Sequence, residues 1–228
     1  MTTEIENKTL LYLLRRDLRV SDNPVLHALS DNKHGFTHLL PVYVFPPHQI
    51  EVSGFLKNGE KSPYPEAKSP IGGFWRCGPH RAKFLAESVW DLKASLEKLG
   101  NGLEIRVGPF GDVVRGFIKA EELNVGAVWM TSEEGVEEND DEKSVKDACE
   151  KDGVEFELWV DEKYLVDEYE FPELQPQNPK ETQLTFCSRD LGKVSDPQAL
   201  PDVFTSYRKM MEPLRDVSRN VLPPVSHR

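Results

Sequence analysis

Apolar residues in this chain fall into short runs set between polar, cap-rich segments. Leu10-Leu11-Tyr12-Leu13-Leu14 is an unbroken apolar run of strand length, the pattern of a strand buried on both faces of a parallel sheet. Arg15 and Arg16 end it, and Ser21-Asp22-Asn23-Pro24 supplies cap residues with a proline at a first helical turn, so strand, loop and helix are expected in that order. Leu39 to Phe45 is a second buried-strand run, in which Pro41 must sit where its missing N–H does not break the ladder; Pro46-Pro47 closes it. From Pro79 onward, Leu85, Val89, Leu92, Leu96 and Leu99 recur at spacings of four and three along one helix face, and Gly100 stops the helix. Leu103 to Val107 alternates like a strand. Val113, Val114, Phe117 and Ile118 give helical spacing within 112–123, and Ala127 to Met130 is a strand run. A helix over 137–151, stopped near Gly153, and a fifth strand over 156–160 complete the series. Five strands with helices between successive members predict an α/β fold: a Rossmann-like, doubly wound parallel sheet over residues 8–165.

Two stretches lack this periodicity. Residues 48–78, rich in Pro, Gly, Ser and Lys, read as a long surface loop. Residues 166–228, punctuated by prolines from Pro172 to Pro224, read as an extended linker-like arm with helical spacing only in 204–214.

Composition narrows the class. The chain has 228 residues, 38% hydrophobic and 29% charged, with a formal net charge of -11, which suits one soluble core. No apolar run approaches the roughly 18–20 residues of a membrane span, and the polar, acidic start lacks the features of a secretory leader, so an intracellular protein, cytoplasmic or nuclear, is expected. Cys77, Cys149 and Cys187 are widely spaced and are expected as free thiols. The acidic balance disfavours a protein whose whole surface tracks nucleic acid, while leaving room for a local basic patch. From Glu133 to Glu157 there are 12 acidic and 3 basic residues, a run that reads as a solvated helix face and loop.

In an open parallel sheet, ligands gather beyond the carboxyl ends of the strands, which directs attention to 15–23 and 131–138. Neither a dinucleotide-binding glycine fingerprint nor a P-loop is present, so dehydrogenase and P-loop NTPase activities are disfavoured. Arg15, Arg16, Asp17 and Arg19 place three guanidinium groups and a carboxylate at a strand end, suited either to clamping an anion or domain interface, or to a loop-fixing ion-pair network with Asp17 and Asp22. Glu133 and Glu134 after the fourth strand can accept hydrogen bonds from the N–H groups of a bound heterocycle, or can solvate the loop and offset a helix dipole. His80 and Arg81 open a helix and suit either an anion or ordinary capping. Trp90, Trp129 and Trp159 read as core, whereas Trp75, in a Gly-rich loop, is placed to cover a ligand or partner. No nucleophilic triad and no metal-ligand spacing stands out, and no catalytic residue is assigned.

Several stretches together resemble the photolyase and cryptochrome family, specifically the N-terminal α/β domain of DASH-type cryptochromes. The first runs from Leu11 to Leu26 and contains Arg15-Arg16-Asp17-Leu18-Arg19 and Asp22-Asn23-Pro24; the second runs from Phe74 to Val89, with Gly78-Pro79-His80-Arg81 and Phe84-Leu85-Ala86-Glu87-Ser88-Val89; the third is Leu200 to Lys209. The resemblance covers residues 8–215 and implies an antenna domain that helps to hold 5,10-methenyltetrahydrofolate. Glu133 matches the carboxylate that contacts the pterin in that family, with Glu134 one residue away. The family's helical domain, which carries FAD and the lesion pocket, is not in this sequence, so the resemblance implies neither FAD binding nor autonomous DNA repair by this chain.

The function expected from these readings is a light-related or regulatory binding role for an antenna domain. Two alternatives stay open: a truncated photolyase-like protein retained as a protein-interaction module, and a nucleotide-binding enzyme on a Rossmann-like sheet. A protein partner or self-association through the surface that the helical domain would cover is expected, and weak nucleic-acid binding through Arg15, Arg16, Arg19 and the basic tail is left open.

Overall fold

The structure is a computed structural model and describes residues 7–30, 34–47, 67–69, 71–133, 135–161, 203, 205–206, 209, 221–222 and 225. The chain divides into two units, one of residues 1–161 with 222–228 and the other of residues 162–221. Most of the second unit, including Cys187 and most of the 204–214 helix expectation, lies outside the described residues, as do residues 48–66 of the expected long loop.

In the first unit the elements run β1 (Thr9–Leu14), α1 (Pro24–Ser30), β2 (His38–Phe45), α2 (Pro79–Lys98), β3 (Glu104–Val107), α3 (Phe110–Ile118), a 3-10 turn (Glu121–Leu123), β4 (Val125–Thr131), α4 (Val136–Asp152) and β5 (Glu155–Trp159). The strands form one parallel sheet in the order β3-β2-β1-β4-β5. This is the doubly wound α/β sheet that the alternation of apolar runs predicts.

The period-two geometry of a strand sorts the core into two layers. Leu10, Tyr12, Leu14, Tyr43, Ala127 and Trp129 face α1 and α2, where Val25, Leu26, Val89, Leu92 and Leu96 cover them. Leu11, Leu13, Val42, Val44, Val128 and Met130 face α3 and α4, where Phe110, Val114, Phe117, Val145, Ala148 and Cys149 cover them. All six residues of β1 are buried, because β2 and β4 flank it and helices close both faces. Pro41 is accommodated because pairing with β3 begins one residue later, at Val42, which leaves the proline with a strand on one side only.

One core expectation is corrected. Trp90 is 62% exposed, whereas Trp129 is buried and Trp159 partly so. The α2 line that meets the sheet is Val89, Leu92 and Leu96; Trp90 stands one residue, about 100°, off that line and points away from the core. Cys77 and Cys149 are both buried, and burial pushes the Cys149 thiol up to about 11.

The two α2 positions differ in what they contribute. Leu92→Ala is expected to destabilise the unit by about 2–5 kcal/mol, and Trp90→Ala by no more than about 0.5 kcal/mol, in chemical denaturation followed by far-ultraviolet circular dichroism.

Candidate functional site

The sheet order places β1 beside β4, while α1 and α2 lie on one face and α3 and α4 on the other. The chain therefore changes direction across β1, and the crevice beyond the carboxyl ends of β1 and β4 is the topological switch point of the fold. The two loops that meet there, 15–23 and 132–135, lie within the stretches expected from the sequence, 15–23 and 131–138.

The β1–α1 loop is built around a buried polar chain. The Tyr12 hydroxyl donates to Asp17, and the Asp17 carboxylate also accepts the Arg15 backbone N–H at 2.9 Å. Asn23 Nδ2 donates to the Tyr12 oxygen at 2.9 Å, and Asn23 Oδ1 accepts the Leu26 N–H at 3.0 Å, capping α1 ahead of Pro24. Burial, together with the neighbouring Asp17 carboxylate, holds the Tyr12 hydroxyl well above its ordinary pKa, so it remains a donor.

Arg15 fans across to the other strand of the switch point. Its Nη2 donates to the carbonyl of Thr131, the last residue of β4, at 2.5 Å, and to Glu142 Oε1 at 2.5 Å; its Nη1 donates to the carbonyl of Glu138 at 3.0 Å. Glu142 Oε1 also accepts the backbone N–H of Glu133 at 2.8 Å. One buried guanidinium thus fixes both ends of the β4–α4 connection and, through Glu142, its middle. Arg16 pairs with Glu138 while half of its side chain stays exposed, and Arg19 makes a two-toothed pair with Asp161 at 2.6 and 2.9 Å. Of the two expectations for these arginines, the loop-fixing network is the one whose contacts are present, with Glu138, Glu142 and Asp161 as carboxylate partners.

The acidic run of α4 is correspondingly two-sided, which corrects its reading as a wholly solvated face. Glu138, Glu142, Val145 and Cys149 recur at spacings of four, three and four and are all buried, so one helix line begins as carboxylates against arginine and ends as core. Burial raises the Glu142 carboxyl and Arg15 pulls it back. Asp141, on the adjoining line, is pushed up to about 6, chiefly by burial; Arg15 opposes the shift, and Glu138, Glu137 and Asp140 add to it.

Glu133 is half-buried in this loop, and Glu134 lies outside the described residues. His80 and Arg81 are exposed on the first turn of α2; the charge of Arg81 reaches Tyr43, opposing the burial that raises the Tyr43 hydroxyl above its ordinary range. Trp75 sits in an antiparallel bridge with Lys68, whose ammonium lies 4.8 Å from the ring centroid, and the neighbouring Arg76 pairs with Glu137 of α4. Tyr43, Asp141, Glu138 and Glu142 were not singled out by sequence reasoning. The last two carried a signal, their helical register with Val145 and Cys149.

The crevice itself, lined by Arg15, Arg16, Tyr43, Phe110, Glu138 and Asp141, measures about 10 Å³. That is the space of about one water, whereas pockets enclosing drug-sized ligands run to about 300 Å³ or more. Two buried polar atoms at this end of the sheet, Arg15 Nε and Thr131 Oγ1, have no hydrogen-bond partner among the described residues. The described residues do not enclose a pterin.

Comparison with known proteins places these features. A sequence profile of the DNA photolyase family matches residues 10–224. A protein of Gibberella zeae provisionally named cryptochrome DASH is 51% identical over 95% of this chain and 29% of its own length. A Neurospora crassa protein provisionally named mitochondrial cryptochrome DASH is 50% identical over 95% of this chain and 27% of its own. The chain thus spans under a third of the length of these relatives. The crystal structure of a Synechocystis cryptochrome superposes with a TM-score of 0.62 at 24% identity, over 96% of this chain and 36% of that one, which establishes a shared fold. No helix among the described residues is long and apolar enough to cross a membrane.

Arg15→Ala is expected to destabilise the unit by about 3–5 kcal/mol, since it leaves the Glu142 carboxylate buried without its cation; Arg15→Met combined with Glu142→Leu should recover most of that loss in denaturant titrations. Asp141 holds its proton more tightly folded than unfolded. Its contribution to stability is therefore largest below about pH 4 and is lost as pH rises through about 6. Asp141→Asn should flatten that part of the pH–stability profile and raise stability at pH 7, by on the order of 1 kcal/mol after allowance for solvent screening.

Proposed function

This chain belongs to the DNA photolyase family, and on that premise we propose that its α/β unit is an antenna-type domain with a role in blue-light or near-ultraviolet photoreception. The observation that carries this reading is the arrangement at the switch point, where Arg15 and Glu142 hold the backbone of Glu133 between β4 and α4. A carboxylate carried on a backbone held in that way can accept hydrogen bonds from the N–H groups of a flat heterocycle, and a pterin such as 5,10-methenyltetrahydrofolate presents them. On this reading Glu133 serves as one edge of such a site, with a second surface needed to close over the ring. Neither DNA repair nor FAD binding is assigned to this stretch. A nucleic-acid contact through Arg15, Arg16 and Arg19 would have to displace Glu142, Glu138 and Asp161, which disfavours that role. We place the protein inside the cell.

A second reading, a protein-interaction module, draws support from the apolar side chains left in water. Ile71 and Phe74 in the loop before α2, and Phe84 and Trp90 on α2, are each more than 60% exposed.

Spectroscopy separates the two. With added 5,10-methenyltetrahydrofolate, the full chain is expected to retain near-ultraviolet absorbance through gel filtration, and Glu133→Gln to weaken retention by about tenfold, the loss of one charge-assisted hydrogen bond. A chain that takes up no folate at any ratio, while eluting with a partner or as a dimer, would favour the interaction module.

A further inference from the structure

The four residues Arg19 to Asp22 do more than connect β1 to α1. Arg19 Nη1 and Nη2 grip both oxygens of Asp161, a carboxylate whose side chain is only 2% exposed and which lies at the point where the chain leaves the first unit. The same guanidinium donates from Nε and Nη2 to the carbonyl of Asp22, at 3.0 and 2.7 Å. Asp22 has a φ of +52°, in the left-handed region that residues with a Cβ seldom adopt and that Asp tolerates better than most. In that conformation its Oδ1 accepts the backbone N–H of Leu222, at 2.9 Å, where the chain re-enters the first unit. Three residues on, Val225 packs against the core cluster that lies under α1 and α2.

We propose that Arg19 and Asp22 form a latch that ties Asp161 and Leu222, the residues of the first unit on either side of 162–221 in the chain, to the β1–α1 loop, so that Leu222 and Val225 belong structurally to the α/β unit. The chemistry sets an order of dependence. Arg19 satisfies the Asp161 carboxylate and, through two hydrogen bonds to one carbonyl, holds Asp22 in its left-handed conformation; Asp22 then offers the acceptor that Leu222 needs. The Arg19 guanidinium thus underwrites the Leu222 hydrogen bond through Asp22. Lys could not replace it, because an ammonium lacks the planar fork that reaches a carboxylate and a carbonyl together. The latch is independent of any ligand at Glu133.

Amide hydrogen exchange of the full chain, read residue by residue by NMR, tests this. The Leu222 amide is expected to be protected, and Asp22→Asn, which keeps an acceptor oxygen and tolerates positive φ, should preserve that protection. Asp22→Gly keeps the conformation without the acceptor and should speed Leu222 exchange by about 10-fold or more. Arg19→Ala and Arg19→Lys should do the same, while the Leu11 and Met130 amides in the centre of the sheet stay slow and report that the unit is folded. Leu222 exchanging at a free-peptide rate in the unaltered chain, or unchanged by Asp22→Gly, would overturn the latch. So would an Arg19→Ala chain whose Leu222 amide exchanges at the unaltered rate.

Discussion

The carboxyl end of this sheet depends on one buried guanidinium. β1 and β4 are joined by a parallel ladder, and the Ser132 N–H still donates to the Trp159 carbonyl of β5 at 2.8 Å; Arg15 adds the side-chain constraint on the β4–α4 connection through Thr131, Glu138 and Glu142. Taking a charge pair out of water is costly, so this pair is a poor source of stability and a good source of specificity: of the ways the β4–α4 loop could lie, one satisfies the arginine, the carboxylate and the Glu133 N–H together. The Tyr12, Asp17 and Asn23 chain does the same for the loop on the other side of the crevice, and it joins that loop to the cap of α1.

Much of the fold was legible in the sequence because it rests on periodicity. The run from Leu10 to Leu14 could only be a strand covered on both faces, and its odd and even members do go to different helix layers. Five apolar runs separated by helical spacings leave few arrangements other than a doubly wound sheet. Trp90 was misjudged because residue type was given more weight than register: a tryptophan one step from the line Val89, Leu92, Leu96 is turned out of the core whatever its hydrophobicity. The partners of β1 were less accessible, since strand order follows from packing over long sequence separations and not from any local pattern.

The site was legible only in part, for a related reason. The arginines and Glu133 announce themselves by type and by position after strands. Glu138 and Glu142 are hidden inside an acidic run whose overall charge suggests solvent, and the clue is their spacing to Val145 and Cys149. A charge run on a helix is sampled by the core at every third or fourth residue, so part of it can be internal while the rest stays wet. Asp141 sits on the boundary between these two environments, which is why its proton is held so much more tightly than that of an ordinary surface carboxylate.

These arrangements bear on what kind of ligand the crevice can prefer. A cluster of three arginines at a strand end suggests an anion site, but Arg15, Arg16 and Arg19 each face a carboxylate contributed from elsewhere in the unit. Their charge is therefore largely neutralised before any ligand arrives, and an incoming phosphate or nucleic acid would have to compete with Glu142, Glu138 or Asp161. The crevice is lined by the Glu138 and Asp141 carboxylates as well as by Arg15 and Arg16, in a chain whose formal net charge is -11. Such a surface repels anions and favours molecules that present N–H donors or positive charge. On the reading proposed above, Glu133 would offer such an acceptor to a heterocycle with N–H groups along one edge, and Arg15, through Thr131 and Glu142, would hold the loop that carries it.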